Sequence, residues 1–126
     1  PAVFLRDHGE DFIDDEFFCP ILRIYRYSDI DEAITLNNRS KYSLSSSLFS
    51  QNLGNIFKFN NESHSGIVNT NIGTSGAEIG LPFGGNKHTG HGRESGGDAW
   101  KQYCLSSSTT IRYGKTYELA QGLEID

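Results

Sequence analysis

Pro82-Phe83-Gly84-Gly85-Asn86-Lys87-His88-Thr89-Gly90-His91-Gly92-Arg93-Glu94 is the stretch on which the reading of this sequence turns. It shows neither the 3.6-residue period of a helix nor the alternation of a strand. It lies inside a longer span of the same character, residues 73–97. A loop of that length is unusual in a compact domain and is generally functional. Three local patterns within it carry little. Gly90-His91-Gly92-Arg93-Glu94-Ser95 begins like a dinucleotide-binding fingerprint but closes on Ser95, and no strand immediately precedes it. Gly84 to Thr89 has the glycines and lysine of a phosphate loop without a glycine directly before Lys87. His88, His91 and Glu94 hint at metal ligands, but no rigid helix face fixes their geometry, so solvated loop histidines are the simpler reading and no metal is expected.

Outward from this loop the periodic segments alternate in type. On its N-terminal side, Gly66-Ile67-Val68-Asn69 reads as a strand. Residues 52–59 read as a helix with Leu53, Ile56, Phe57 and Phe59 inward, and residues 43–49 as a strand of small residues. Ser28 or Asp29 caps an earlier helix, with Glu32 placed as a capping-box acid and Ile30, Ala33, Ile34 and Leu36 facing inward to an end near Asn37-Asn38. Residues 21–27 and 3–5 read as strands, separated by an acidic, aromatic segment that Pro20 terminates. On the C-terminal side, residues 97–104 read as a short helix with Trp100, Tyr103 and a buried Cys104 on one apolar face, and residues 109–113 as a strand. Strand and helix in alternation point to an α/β architecture.

The 126 residues include 36% hydrophobics and 14 glycines, ordinary for a globular chain. A net charge of −5 with scattered basic residues excludes a nucleic-acid binder, which needs a basic stripe. No run approaches the ~18 apolar residues of a membrane span, and Pro1-Ala2-Val3-Phe4-Leu5 has no basic region of a signal peptide. Cys19 and Cys104 form neither a disulfide framework nor a metal set, so the cytoplasm is the expected compartment. The sequence contains no Met and reads as cut from something longer, a trimmed start being the alternative.

Taken together, ordered motifs resemble the aldehyde dehydrogenase family. Glu16-Phe17-Phe18-Cys19-Pro20 resembles its Glu-x-Phe-Gly-Pro motif, and residues 82–94 its Pro-Phe-Gly-Gly-x-Lys-x-Ser/Thr-Gly-x-Gly-Arg-Glu signature. Residues 42–49 and 66–71 are similar to the strands that lie between them in the family. Residues 71–80, Arg93-Glu94-Ser95-Gly96-Gly97-Asp98-Ala99-Trp100-Lys101-Gln102-Tyr103 and Leu119-Ala120-Gln121-Gly122 resemble the antiquitin-type branch. Three departures stand out: Cys19 where the family has Gly or Ala, Ser43 where Gly is usual, and Cys104-Leu105-Ser106 where the branch has Met-Arg-Arg.

The resemblance implies the C-terminal part of the catalytic domain over residues 1–108 and an oligomerisation strand with a tail over residues 109–126. It implies an NAD-dependent oxidation of a semialdehyde, α-aminoadipic semialdehyde or its cyclised form piperideine-6-carboxylate, in lysine catabolism by a homotetramer. Glu16 resembles the carboxylate that accepts hydrogen bonds from the cofactor's ribose, and Phe18 the aromatic beside its nicotinamide. Ser75, Gly76 and Ala77 resemble the loop whose amides hold the substrate's far carboxylate, and Phe83 the wall of the aldehyde tunnel. Residues 87–94 are expected to tie the loop to the rest of the domain. No catalytic residue is assigned: the family's nucleophilic cysteine and general-base glutamate correspond to neither Cys19 nor Cys104 and are expected upstream. The reading expects Glu16 and the amides near Gly76 to open on one cleft. The alternative function is a non-catalytic remnant or an association partner of a full-length homologue.

Overall fold

The computed structural model describes residues 1–7, 12–75, 78 and 80–114. The tail motif at residues 119–122 lies outside them, as do Gly76 and Ala77. The described elements are β1 (Ala2–Arg6), β2 (Ile21–Tyr25), α1 (Ile30–Arg39), β3 (Tyr42–Ser43), β4 (Ser45–Leu48), α2 (Leu53–Glu62), β5 (Ile67–Thr70), β6 (Asn86–Lys87) and a 3₁₀ turn over Ala99–Tyr103. Strand and helix alternate as the sequence implies, and the fold is α/β.

Both helices start where side chains replace the missing backbone acceptors. The Asp29 carboxylate accepts from the Glu32 amide at 2.9 Å, and Glu32 reaches back to accept from the Ser28 amide at 2.7 Å. Asp31 and Glu32 in the first turn of α1 and Arg39 in its last turn complement the helix dipole. Asn52 caps α2 through the Asn55 amide at 3.1 Å. The C-terminal ends of the helices are stitched together: the Asn38 side chain donates to Glu62 O at 2.8 Å and accepts from the His64 amide at 2.9 Å. Asp31 also pairs with Lys58, which holds that ammonium above its ordinary value of 10.5.

Parallel β4 and β5 flank α2 in a β-α-β unit, with Ser45 opposite Ile67 and Leu48 opposite Thr70. β3 pairs antiparallel with β6, setting Tyr42 opposite Lys87 and Ser43 opposite Asn86. The strand expected over residues 43–49 is therefore two strands broken at Leu44, each serving a different partner. Among the described residues Ile34, Phe59 and Ala99 are the buried hydrophobics, joined by buried Ser43 and Ser46. The Ser43 amide donates to Thr89 Oγ1 at 2.9 Å, and the Ser46 and Ser65 hydroxyls bond to each other, so these buried polar groups are satisfied.

The glycine-rich loop seats directly against β5. A Cβ added to Gly66 would lie 1.8 Å from Gly84 O, so two backbones meet where no side chain fits. Gly96, at φ +75°, turns the loop where a Cβ would strike Leu81 O. Lys87 then reaches across to donate to Asn38 O at 2.6 Å and Ser40 O at 2.8 Å, capping the C-terminal end of α1. Arg93 donates to the carbonyl oxygens of Gly85 and Gly92 and to Asn86 Oδ1, and the Gln102 amide brackets the Arg93 backbone. The structural role expected for residues 87–94 is met by these contacts.

The remaining pair, β1 and β2, is parallel from Ala2↔Ile21 to Arg6↔Tyr25. Its apolar side chains stay open: Val3, Phe4, Leu5, Leu22 and Ile24 are exposed. Several sequence expectations change for the same reason, that apolar residues find no covering element. Leu53 and Phe57 of α2 point outward, as do Trp100 and Tyr103 of the 3₁₀ turn. Cys104, expected to be buried, is exposed with its thiol toward Trp100 O. Residues 109–113 form no strand, since among the described residues none pairs with them.

Candidate functional site

Glu16 sits in the irregular segment between β1 and β2, one residue beyond a set of anchors. Asp14 Oδ1 accepts from Ser40 Oγ at 2.5 Å and Oδ2 from the Lys41 amide at 2.8 Å. Partial burial opposes ionisation of Asp14. The hydrogen bonds from Ser40 and Lys41 and the charges of Lys41 and Arg23 outweigh it, so the carboxyl titrates below its ordinary value of 3.8. Arg23 of β2 donates to Ile13 O at 2.5 Å and Asp15 O at 2.9 Å. Phe12 packs on the Tyr25 ring at 5.4 Å and under the Arg39 guanidinium at 5.1 Å.

On this braced backbone the Glu16 carboxylate is exposed and makes no hydrogen bond or ion pair among the described residues. It borders a hollow of about 360 Å³ lined by Ser40, Tyr42, Ser46, Ser65 and Thr89 among others. Ser45, at the same hollow, keeps a buried hydroxyl without a partner among the described residues. Phe18, two positions on, is 96% exposed, its ring clear of the core.

The second candidate region follows β5. Asn71, at φ +56°, turns the chain, its side chain accepting from the Ser50 amide at 2.8 Å and donating to Ser50 O at 2.9 Å. Ser47 donates its hydroxyl to Ile72 O, and Asn69 donates to Gly73 O at 3.0 Å. These bonds carry the backbone to Ser75, which borders a hollow of about 490 Å³ with Ile67, Val68, Leu81, Pro82 and Arg93. Phe83 is half-buried and held by a backbone bridge to Ser95, with its amide donating to Ser95 O at 3.0 Å. It is not among the residues that border this hollow; Pro82 beside it is.

Glu16 and Ser75 thus border two hollows that share no lining residue. Among the described residues Glu16 and Ser75 open on separate hollows, and Gly76 and Ala77, whose amides the expected cleft includes, lie outside the described residues. The segments that border the two hollows, 42–46 and 66–69, include the paired strands β4 and β5, so one ribbon serves both. Arg93 and Glu78, to which the sequence assigns no chemistry, both border the hollow at Ser75. Their signal was present only as charged residues in a glycine-rich stretch. Among the described residues no group of three or more His, Cys, Asp or Glu could hold a metal ion. No helix among them is long and apolar enough to cross a membrane.

Two parallel strand pairs in an α/β arrangement, a glycine-rich loop locked on β5 and an exposed carboxylate before β2 define the class. The chain belongs to the aldehyde dehydrogenase family, which it matches over residues 1–109. Within that family it is 51% identical over 120 residues to alpha-aminoadipic semialdehyde dehydrogenase of Bos taurus, covering 94% of this chain and 22% of that protein. It is also 51% identical over 113 residues to aldehyde dehydrogenase family 7 member A1 of Pisum sativum, covering 88% and 22%. Its fold is similar to salicylaldehyde dehydrogenase from Pseudomonas putida G7, solved with salicylaldehyde, at a TM-score of 0.76 and 29% identity over 91% of this chain and 25% of that one. A betaine aldehyde dehydrogenase from Staphylococcus aureus, solved with NAD+, superposes at a TM-score of 0.69 and 31% identity over 75% and 19%. The chain spans about a fifth to a quarter of the length of the curated relatives it matches.

Proposed function

We propose that this chain supplies part of the cofactor and substrate surfaces of an NAD-dependent enzyme that oxidises α-aminoadipic semialdehyde to its carboxylic acid. The observation that carries the reading is the exposed Glu16 carboxylate, without a partner among the described residues, on a backbone anchored through Asp14 and the Asp15 carbonyl. Two free acceptor oxygens suit a vicinal ribose diol, and the open ring of Phe18 suits a planar heteroaromatic. When bound, NAD+ accepts the hydride released by the aldehyde carbon. This chain's part is to orient and enclose. Glu16 fixes the ribose, and Phe18 shields the ring from water.

At the other hollow, Ser75, with Gly76 and Ala77 beyond it, offers backbone amides to the far carboxylate of the substrate. Arg93 at the same hollow brings a positive charge toward an anionic tail, set against the negative charge of Glu78 on the same lining. Phe83 walls the aldehyde passage. The nucleophilic cysteine and the glutamate that activates water come from the rest of the enzyme, as Cys19 and Cys104 occupy neither position. The two hollows join into one cleft only when that remainder is present. Residues 109–126 serve as an inter-subunit strand and tail of a homotetramer, and the two free, exposed thiols fit a reducing cytoplasm.

The test is steady-state kinetics of the complete enzyme carrying Glu16→Gln. The KM for NAD+ is expected to rise about tenfold or more, with turnover slowed. Unaltered NAD+ kinetics would remove Glu16 from the cofactor surface.

A further inference from the structure

The placement of Glu16 depends on two side chains that belong to no motif. Asp14 reaches across 26 residues to Ser40 Oγ and 27 to the Lys41 amide, pinning its segment to the junction between α1 and β3. Arg23 grips the carbonyl oxygens on either side of Asp14, those of Ile13 and Asp15, with its two terminal nitrogens. A planar fork with fixed spacing fits that task, where a flexible ammonium does not. Glu16 begins at the peptide bond whose oxygen Arg23 holds, so the backbone entering Glu16 is restrained from β2.

Ser40 gives this brace a second function. Its hydroxyl donates to Asp14 and its carbonyl oxygen accepts from Lys87 of the glycine-rich loop at 2.8 Å. Ser40 and Tyr42, on either side of the Lys41 amide, also border the hollow at Glu16. The loop, the end of α1 and the Glu16 segment therefore meet on one residue. Of the run Asp14-Asp15-Glu16, the first carboxylate is committed to Ser40 and Lys41 while the third has no partner among the described residues.

We propose that Asp14 and Arg23 are positioning residues for Glu16, holding its carboxylate where a ribose diol is bound. This rests on the cofactor reading of Glu16 given above. Neither residue touches the cofactor; each acts through the backbone at Glu16.

A double-mutant cycle in the complete enzyme tests it, using Asp14→Asn, Glu16→Gln and the pair, with KM for NAD+ and for the aldehyde measured separately. Asp14→Asn is expected to raise KM for NAD+ about tenfold and leave KM for the aldehyde unchanged. The pair should then match Glu16→Gln alone. Multiplying effects in the pair would overturn the proposal while leaving Glu16 as a cofactor ligand. Glu16→Gln with wild-type NAD+ kinetics would overturn both, so the two failures are told apart. Should Asp14→Asn fail to fold, Ser40→Ala removes one hydrogen bond from Asp14 and enters the same cycle. Arg23→Lys should raise KM for NAD+ in the same manner, and a shift in melting temperature with NAD+ kinetics intact would count against the role.

Discussion

The unit built from α1, β4, α2 and β5 and the ribbon of β1 and β2 are both made of parallel strands, yet they are held in opposite ways. In the first, helices are capped, the Ser46 hydroxyl meets that of Ser65, and Ile34 and Phe59 are enclosed. In the second, the backbone register is complete while Val3, Phe4, Leu5 and Leu22 face outward. Parallel sheets are normally covered on both faces, so the ribbon has its hydrogen bonds but lacks its hydrophobic term. Backbone pairing sets a strand's direction. Side-chain cover sets its stability.

The largest effect that can break this contrast is at the joint of the first unit. Gly66→Ala places a methyl group against Gly84 O and should destabilise the complete protein by about 3 kcal/mol or more, read as a fall in denaturation midpoint. A neutral result would mean the loop is not seated on β5. Next is Lys87→Met, which leaves the carbonyl oxygens of Asn38 and Ser40 without their charged donor. A loss of about 2 kcal/mol is expected, with faster amide exchange at the end of α1.

A smaller, pH-dependent effect belongs to Asp14. Its folded carboxyl titrates below 3.8, so the anchor contributes above that value and fades as the pH falls below it. The melting temperature of Asp14→Asn should therefore approach that of the unaltered protein as the pH drops through this window. Parallel curves would show that the anchor carries no proton linkage. The smallest effect sharpens the comparison. Leu22→Ser, at a side chain 56% exposed, should change the stability of the chain alone by under about 0.5 kcal/mol. In the complete enzyme the same change should cost about 2 kcal/mol, the value of a covered leucine. Equal effects in both would erase the distinction between the two regions.

Local chemistry was readable from the sequence. Asp29 and Glu32 announce the start of α1, and the small residues of β4 and the periodic α2 give the β-α-β unit. What failed was cover. The spacing of Leu53 and Phe57 marks an apolar face, but periodicity is silent on what packs against it. The same holds for Trp100, Tyr103 and Cys104, and for residues 109–113, which have strand composition but pair with no strand among the described residues. Of the candidate site, Glu16 and Ser75 were legible as members of motifs, and both border hollows. That the hollows are separate was not, because a cleft is a property of the elements around it. Asp14 and Arg23 left no signal, since bonds from residue 14 to 40 and from 23 to 13 and 15 obey no local period.

The meeting of Gly66 with Gly84 ties off residues 67–83 like the neck of a bag. Once a neck is closed, adding residues between its two ends costs little, about 0.6 kcal/mol for each doubling of length. Insertions and exchanges between Asn71 and Leu81 should therefore be tolerated far better than any change at the neck. A lineage, or an engineer, can reshape the hollow beside Ser75 for a differently sized guest while the rest of the chain goes on folding as before.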